Sequence, residues 1–177
     1  MRKILSLSLL FILFSCSENR IEKKYEISGG IFLTSQNNFY GIIDSQNKII
    51  VPFIYDSILL TGSRPLTIKN GLWGMIDIRG KVIIPNEYES IEFDGSQGMT
   101  VKNGLLGLIN NEGKVIIPNE YESIDFDGSL GITKKNGLWG MINMDGKVII
   151  PNEYDSLIKD GNKVTVLLNG IKKTIRI

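Results

Sequence analysis

Histidine is absent from this chain, and cysteine occurs once, as Cys16. The first absence removes the commonest general base near neutral pH and the commonest transition-metal ligand. A single cysteine rules out a disulfide within the chain and any Cys-rich metal site. Net charge is only +1, with 20 basic and 19 acidic residues over 177 positions and no basic patch or tail. Attraction to a nucleic-acid backbone, which needs clustered cations, therefore has no support. No Walker-type glycine loop, dinucleotide fingerprint or nucleophile elbow is present. No cofactor is implied.

Long apolar runs are also lacking, apart from one near the start. Arg2 and Lys3 precede an apolar stretch over residues 4–14. That stretch is too short for a membrane-spanning helix of about 20 residues but suits an export signal. Leu13-Phe14-Ser15-Cys16 resembles a bacterial lipobox, with Phe14 departing from the usual small residue. Cys16 is then the expected lipidation site, with a signal peptide over 1–15, a tether over 16–29 and a β domain over 30–177. The expected location is the bacterial cell envelope, with the membrane reached through lipid on Cys16, since acyl chains contribute about 0.8 kcal/mol per buried methylene.

What the chain does contain is a repeat. "KVIIPNEYESI" stands at 81–91 and again at 114–124, and "KVIIPNEYDSL" at 147–157. Pro52, Pro85, Pro118 and Pro151 keep a 33-residue interval, as do Tyr55, Tyr88, Tyr121 and Tyr154. So do Gly41, Gly74, Gly107 and Gly140, each after a bulky residue: Tyr40, Trp73, Leu106 and Trp139. Four units are followed by a partial fifth, in which Lys172 and Lys173 fill the bulky and glycine positions. Polar drift in a last repeat suits a cap, because its outer side has no neighbour.

Glycine or proline interrupts each unit too often for a helix of ordinary length. Asn70-Gly71, Asn103-Gly104 and Asn136-Gly137 separate apolar runs, and Asn-Gly favours the type I′ hairpin turn because both central residues need positive φ. One unit then reads as strands near Leu66–Lys69, 72–78 and 81–84, with Pro85 ending the third strand. An extended piece over 88–93 leads to the next unit. The expectation is an all-β open array of 33-residue meanders, with a small closed propeller as the alternative.

"NGLWGMIDIRGKVIIPNEYESIEF" resembles the WG repeat family, whose units carry a Trp-Gly step, an Ile-Asp, a Gly, an apolar-apolar-Pro and a Tyr followed by an acid. Tyr40 and Leu106 depart from Trp, and Asn110 and Asn143 from the Asp of Asp44 and Asp77. The resemblance implies a β-rich array, often exported as a lipoprotein, and no particular catalysis.

Each candidate site has a structural reading beside its chemical one. Trp73 and Trp139 could stack on sugar rings, but the slot tolerates Leu106 and Tyr40, which favours packing worth about 1.5–3 kcal/mol for a large side chain. The glycine after each leaves room for a ring, with the recurrent tyrosine as candidate. Glu87, Glu89, Glu92 and Asp94, echoed by Glu120, Glu122, Asp125 and Asp127, read as solvated loop acids. A catalytic carboxylate pair needs a cleft and is not repeated in every unit. Calcium is a rival for Asp125-Phe126-Asp127-Gly128, although the other ligands of an EF-hand loop are missing. Ser57, Ser90, Ser123 and Ser156 are expected to bond to turn backbone. The leading expectation is a non-enzymatic module for a protein partner, and the alternative is a carbohydrate or peptidoglycan binder.

Overall fold

The computed structural model describes residues 25–61 and 64–177. Cys16 and the signal segment lie outside these residues. Among the described residues there is no helix, and therefore none long and apolar enough to cross a membrane.

Strands follow one another as antiparallel meanders in five sheets. The first holds β1 (Tyr25–Ser28), β2 (Ile31–Gln36), β3 (Phe39–Asp44) and β4 (Ile49–Tyr55). The second holds β5 (Ser57–Leu59), β6 (Leu66–Lys69), β7 (Leu72–Ile76) and β8 (Val82–Tyr88). The third holds β9 (Ser90–Asp94), β10 (Gln97–Lys102), β11 (Leu105–Asn110) and β12 (Val115–Tyr121). The fourth holds β13 (Ser123–Asp127), β14 (Leu130–Lys135), β15 (Leu138–Asn143) and β16 (Val148–Tyr154). The last has three strands, β17 (Ser156–Asp160), β18 (Lys163–Leu168) and β19 (Ile171–Arg176). The expected meander is correct, with two revisions. The piece leading out of each unit is itself the first strand of the next sheet, and β1 begins inside the tether expected over 16–29. A hairpin at Gly29 and Gly30, both at positive φ, folds β1 onto β2.

Proline does not end the third strand of the unit, contrary to expectation. β8 runs through Pro85 to Tyr88. Trp73 pairs with Tyr88 and Met75 with Ile84, so a step of two on β7 faces a step of four on β8. The same irregularity recurs between Tyr40 and Ile42, Leu106 and Leu108, and Trp139 and Met141. Pro85 sits in that bulge on an edge strand, where no ladder donor is required of it.

The turns obey local chemistry. Asn70, Asn103, Asn136 and Asn169 have φ between 51° and 53°, each followed by a positive-φ glycine, as a type I′ hairpin demands. The second turn is an Asx turn. Asp77 Oδ1 accepts from the amides of Arg79 and Lys81, both at 2.9 Å. Asn110 Oδ1 accepts from Glu112 at 3.0 Å and Lys114 at 2.8 Å, and Asn143 does likewise for Asp145 and Lys147. One acceptor oxygen is all the turn uses, which is why Asn replaces Asp there.

Packing joins each sheet to the next. Ile58 and Ile76 of the second sheet complete a cluster with Leu33, Ile42, Val51 and Tyr55 of the first. Ile109 does the same for Met75, Ile84 and Tyr88, and Ile142 for Leu108, Ile117 and Tyr121. Val164 and Val166 close the fourth sheet's cluster around Met141. The array is open. On the far face of the last sheet Thr165 pairs with Thr174, where the fourth sheet has Ile132 opposite Met141, and β19 is exposed along most of its length. Among the described residues no further sheet covers this face, which suits threonine in place of the apolar pair.

One buried polar atom is unsatisfied. Gln97 Oε1 has no hydrogen-bond partner among the described residues, and the repeat places Leu130 at the same position. Gln97→Leu is therefore expected to raise stability by about 1 kcal/mol. A thermal melt with an unchanged or lower midpoint would contradict this.

Candidate functional site

The residues singled out by their spacing divide between core and rim. Tyr55, Tyr88, Tyr121 and Tyr154 are buried, and burial is the first cause pushing their phenols above the ordinary range. Pro52, Pro85, Pro118 and Pro151 are exposed at the sheet edges. Trp73, Leu106 and Trp139 are half-buried, and Tyr40 is exposed. The bulky position is thus a rim position, less enclosed than the core slot expected of it. The closed packing belongs to Ile42, Met75, Leu108 and Met141, two residues further along the same strands, which meet the following sheet.

Gly41, Gly74, Gly107 and Gly140 are buried for a reason different from the one expected. The groups nearest their missing Cβ are a main-chain carbonyl and an asparagine, or Phe53 at Gly41, rather than a tyrosine. A Cβ at Gly74 would stand 2.7 Å from the Ile84 carbonyl and 2.9 Å from the Asn86 side chain. The bulge brings Asn86 over the glycine, where Nδ2 donates to the Thr67 and Leu72 carbonyls, both at 3.0 Å. Asn119 repeats this with Thr100 and Leu105, and Asn152 with Thr133 and Leu138. Thr67, Thr100 and Thr133 are at most 1% exposed. In the first unit the Phe53 ring covers Gly41 in place of the asparagine. Rings do cover glycines elsewhere, Phe93 over Gly98 and Phe126 over Gly131. Sequence reasoning passed over the Thr–Asn pair, although both residues keep the 33-residue interval. The signal was there, but nothing in a linear pattern says that the two meet.

Several of the recurring acids have partners. Asp56 Oδ2 accepts from Gly71 N at 3.0 Å, Glu122 from Gly137 N at 2.7 Å and Asp155 from Asn169 N at 2.8 Å. Each therefore holds the Asn-Gly hairpin turn of the following sheet. Glu87 pairs with Lys102 at 3.0 Å and Glu120 with Lys135 at 2.8 Å. Lys102 lies 5.6 Å from the centroid of the Tyr88 ring and Lys135 5.8 Å from that of Tyr121. Asp127 meets Lys159 at 2.6 Å, and that hydrogen bond holds its carboxyl below the usual range. Among the described residues no three acids cluster as a metal site would require.

Together these groups form a groove that recurs. One copy, about 440 Å³, is lined by Ile54, Tyr55, Lys69, Leu72, Val82 and Pro85. Another, about 310 Å³, is lined by Glu120, Tyr121, Lys135, Leu138, Val148 and Pro151. A third, about 350 Å³, holds Tyr154, Leu168 and Ile171 at the end of the array. Val82, Val115 and Val148 are about half exposed along this rim, as is Ile49 in the first sheet. Each groove offers an apolar floor, a tyrosine and a flanking cation, with no nucleophile and base side by side.

Stacked antiparallel meanders with a similar groove at three of their junctions define a tandem β-repeat protein. The family described as WG containing repeat matches residues 40–59, 73–101, 107–139 and 139–162, more than half of the chain, and the chain belongs to that family. No curated protein matches it. Among solved structures, a eukaryotic initiation factor is 8% identical with a TM-score of 0.41, covering 89% of this chain and 52% of that one. Hsv2 of Kluyveromyces lactis is 10% identical with a TM-score of 0.36, covering 83% of this chain and 57% of that one. The BT4673 extracellular domain from B. thetaiotaomicron is 15% identical with a TM-score of 0.35, covering 93% of this chain and 29% of that one. This chain thus spans less than two thirds of each.

Proposed function

We propose that this protein is a non-enzymatic interaction module of the bacterial cell envelope, lipid-anchored through Cys16 and holding a protein partner along its repeated grooves. The observation that carries the reading is the recurrence of one groove with the same chemistry. An exposed valine, a proline and a tyrosine beside a lysine suit an extended polypeptide, whose apolar side chains and carboxylates meet them in alternation. Several weak grooves on one array also act together, so modest contacts sum to useful avidity. Most of the recurring acids are taken up in turns and ion pairs, which supports binding over acid–base catalysis.

Crosslinking of the tagged full-length protein in cells, read by mass spectrometry, tests this. One dominant protein partner is expected, lost in Cys16→Ala and reduced several-fold in the charge reversal Lys69→Glu with Lys135→Glu. Those lysines are exposed enough for the fold to survive, because surface ion pairs contribute about 0–1 kcal/mol. Recovery of glycan alone, abolished by Trp73→Ala and Trp139→Ala in folded protein, would transfer the function to carbohydrate binding. A partner captured equally by the charge-reversed protein would remove the grooves from the account.

A further inference from the structure

The four junctions between sheets are internal controls for one another, and one of them departs from the rest. Position 64 and its repeat equivalents are Ile31, Arg64, Gln97, Leu130 and Lys163. Position 111 and its equivalents are Ser45, Ile78, Asn111, Met144 and Ile177, of which Ser45 lies in the first sheet with no junction before it among the described residues. Only at the junction of the second and third sheets do an arginine and an asparagine stand where the others carry at least one large apolar residue. That junction also holds a cavity of about 770 Å³, lined by Arg64, Leu66, Met75, Ile91, Phe93 and Asn111 among others. A volume of this size is in the range of small-molecule sites, about 300–1,000 Å³.

Part of the wall is apolar and firmly placed, and Thr61, Glu92, Gly95 and Asn111 complete it beside Arg64. Leu66 and Met75 are buried members of the second sheet's cluster, and Ile91 belongs to the same cluster from the third. The Phe93 ring is seated on Gly98, where a Cβ would stand 3.0 Å from it. Glu92 also borders the cavity. Side chains alternate along a strand, so Ile91 and Phe93 face the cavity while Glu92 points to the other face. Its cross-strand partner Met99 packs there, toward the fourth sheet's Ile142. Arg64 is therefore the charged side chain of this wall. It is half-buried, donates to the Asn111 carbonyl, and forms no ion pair with a carboxylate among the described residues. A guanidinium has five donors in a planar fork that matches a carboxylate, and leaving it unpaired against apolar walls is unfavourable. The recess on its other side carries Asp77, Lys81 and Glu112, a set offering a carboxylate no net attraction.

We propose that the cleft between the second and third sheets is a binding site for a monocarboxylate with an apolar body. Arg64 takes the carboxylate through its fork, and Leu66, Met75, Ile91 and Phe93 enclose the apolar part. The C-terminus of a polypeptide ending in an aliphatic residue and a free aliphatic acid share this chemistry.

Full-length protein in detergent micelles, observed by NMR, tests the site with three probes: a short peptide ending in leucine, its C-terminal amide, and decanoate. The free-acid peptide is expected to shift the amides of Phe93, Gly95 and Asn111, with the amidated peptide at least about tenfold weaker, as loss of a charge-assisted bond implies. Arg64→Gln, which uses the residue found at position 97, should weaken the acid about tenfold and leave the amide unchanged. Asn111→Met, which uses the residue found at position 144, should fill the cleft and abolish both while the spectrum stays folded. Binding of decanoate without the peptide acid would assign the site to a free acid. Equal binding of acid and amide, no loss in Arg64→Gln, or no shift with any probe at millimolar concentration would each overturn the proposal. The crosslinked partner of the repeated grooves is read separately, since Arg64→Gln leaves those grooves intact.

Discussion

Gly146→Ala is expected to destabilise the array by about 3–4 kcal/mol, whereas Gly137→Ala, at nearly the same backbone angle, costs about 1–2 kcal/mol. Gly137 has φ 77° and Gly146 φ 79°, so the left-handed penalty is shared. Surroundings separate them. A Cβ at Gly137 meets nothing within 4 Å, while one at Gly146 stands 2.6 Å from the Ile116 carbonyl of the preceding sheet. Backbone cannot rotate away as a side chain can, so the turn must lift off β12 and loosen the junction where Ile142 packs on Leu108, Ile117 and Tyr121. Gly80 and Gly113 make the same approach to the sheets before them. In the first unit the equivalent position is Asn47, at φ 65°. Urea denaturation followed by tryptophan fluorescence would compare the two variants. Equal shifts in midpoint would mean that the turn does not bear on the strand beneath it.

Asn119→Ala is expected to cost about 2–4 kcal/mol, well above Thr100→Val. The asparagine supplies hydrogen bonds to two carbonyls, those of Thr100 and Leu105, and its Cγ fills the space over Gly107. Truncation leaves both acceptors without that donor and opens a void in the bulge. Thr100→Val keeps the shape and leaves the asparagine's main-chain contacts in place. Val166 shows that the position accepts valine when no asparagine strand follows, since the last sheet lacks a fourth strand. Denaturation of both single variants and the double gives the coupling directly. Should Asn119→Ala prove no worse than Thr100→Val, the bulge would be held by its backbone alone.

Much of the architecture was legible because turns and periods are local. Asn-Gly fixes a hairpin through its own backbone angles, and a fixed interval of 33 residues can only be read as equivalent units. The strand through Pro85 was not legible, because a proline in a run ordinarily marks an end. It is tolerated here only because β7 lies opposite with a bulge that asks no donor of it. The ring expected over Gly74 was the wrong group for a related reason. A missing Cβ says that something approaches, but the bulge decides that the approaching group is Asn86. Trp73 and Trp139 looked like core residues by size, yet their place on the strand puts them at the rim, half-buried, with Lys134 5.6 Å from the Trp139 ring.

Sequence alone thus determined the repeat, the turn types, the all-β class and the polar end of the array, each a property of residues close together in the chain. Only the tertiary structure decided which residues meet across the bulge, which glycines carry a neighbouring sheet, and which junction leaves a cavity beside Arg64. Those outcomes depend on contacts between units that the interval makes equivalent in sequence but that single substitutions make different in space. A repeat states what every unit must do. The departures from it become meaningful once stacking shows what each one faces.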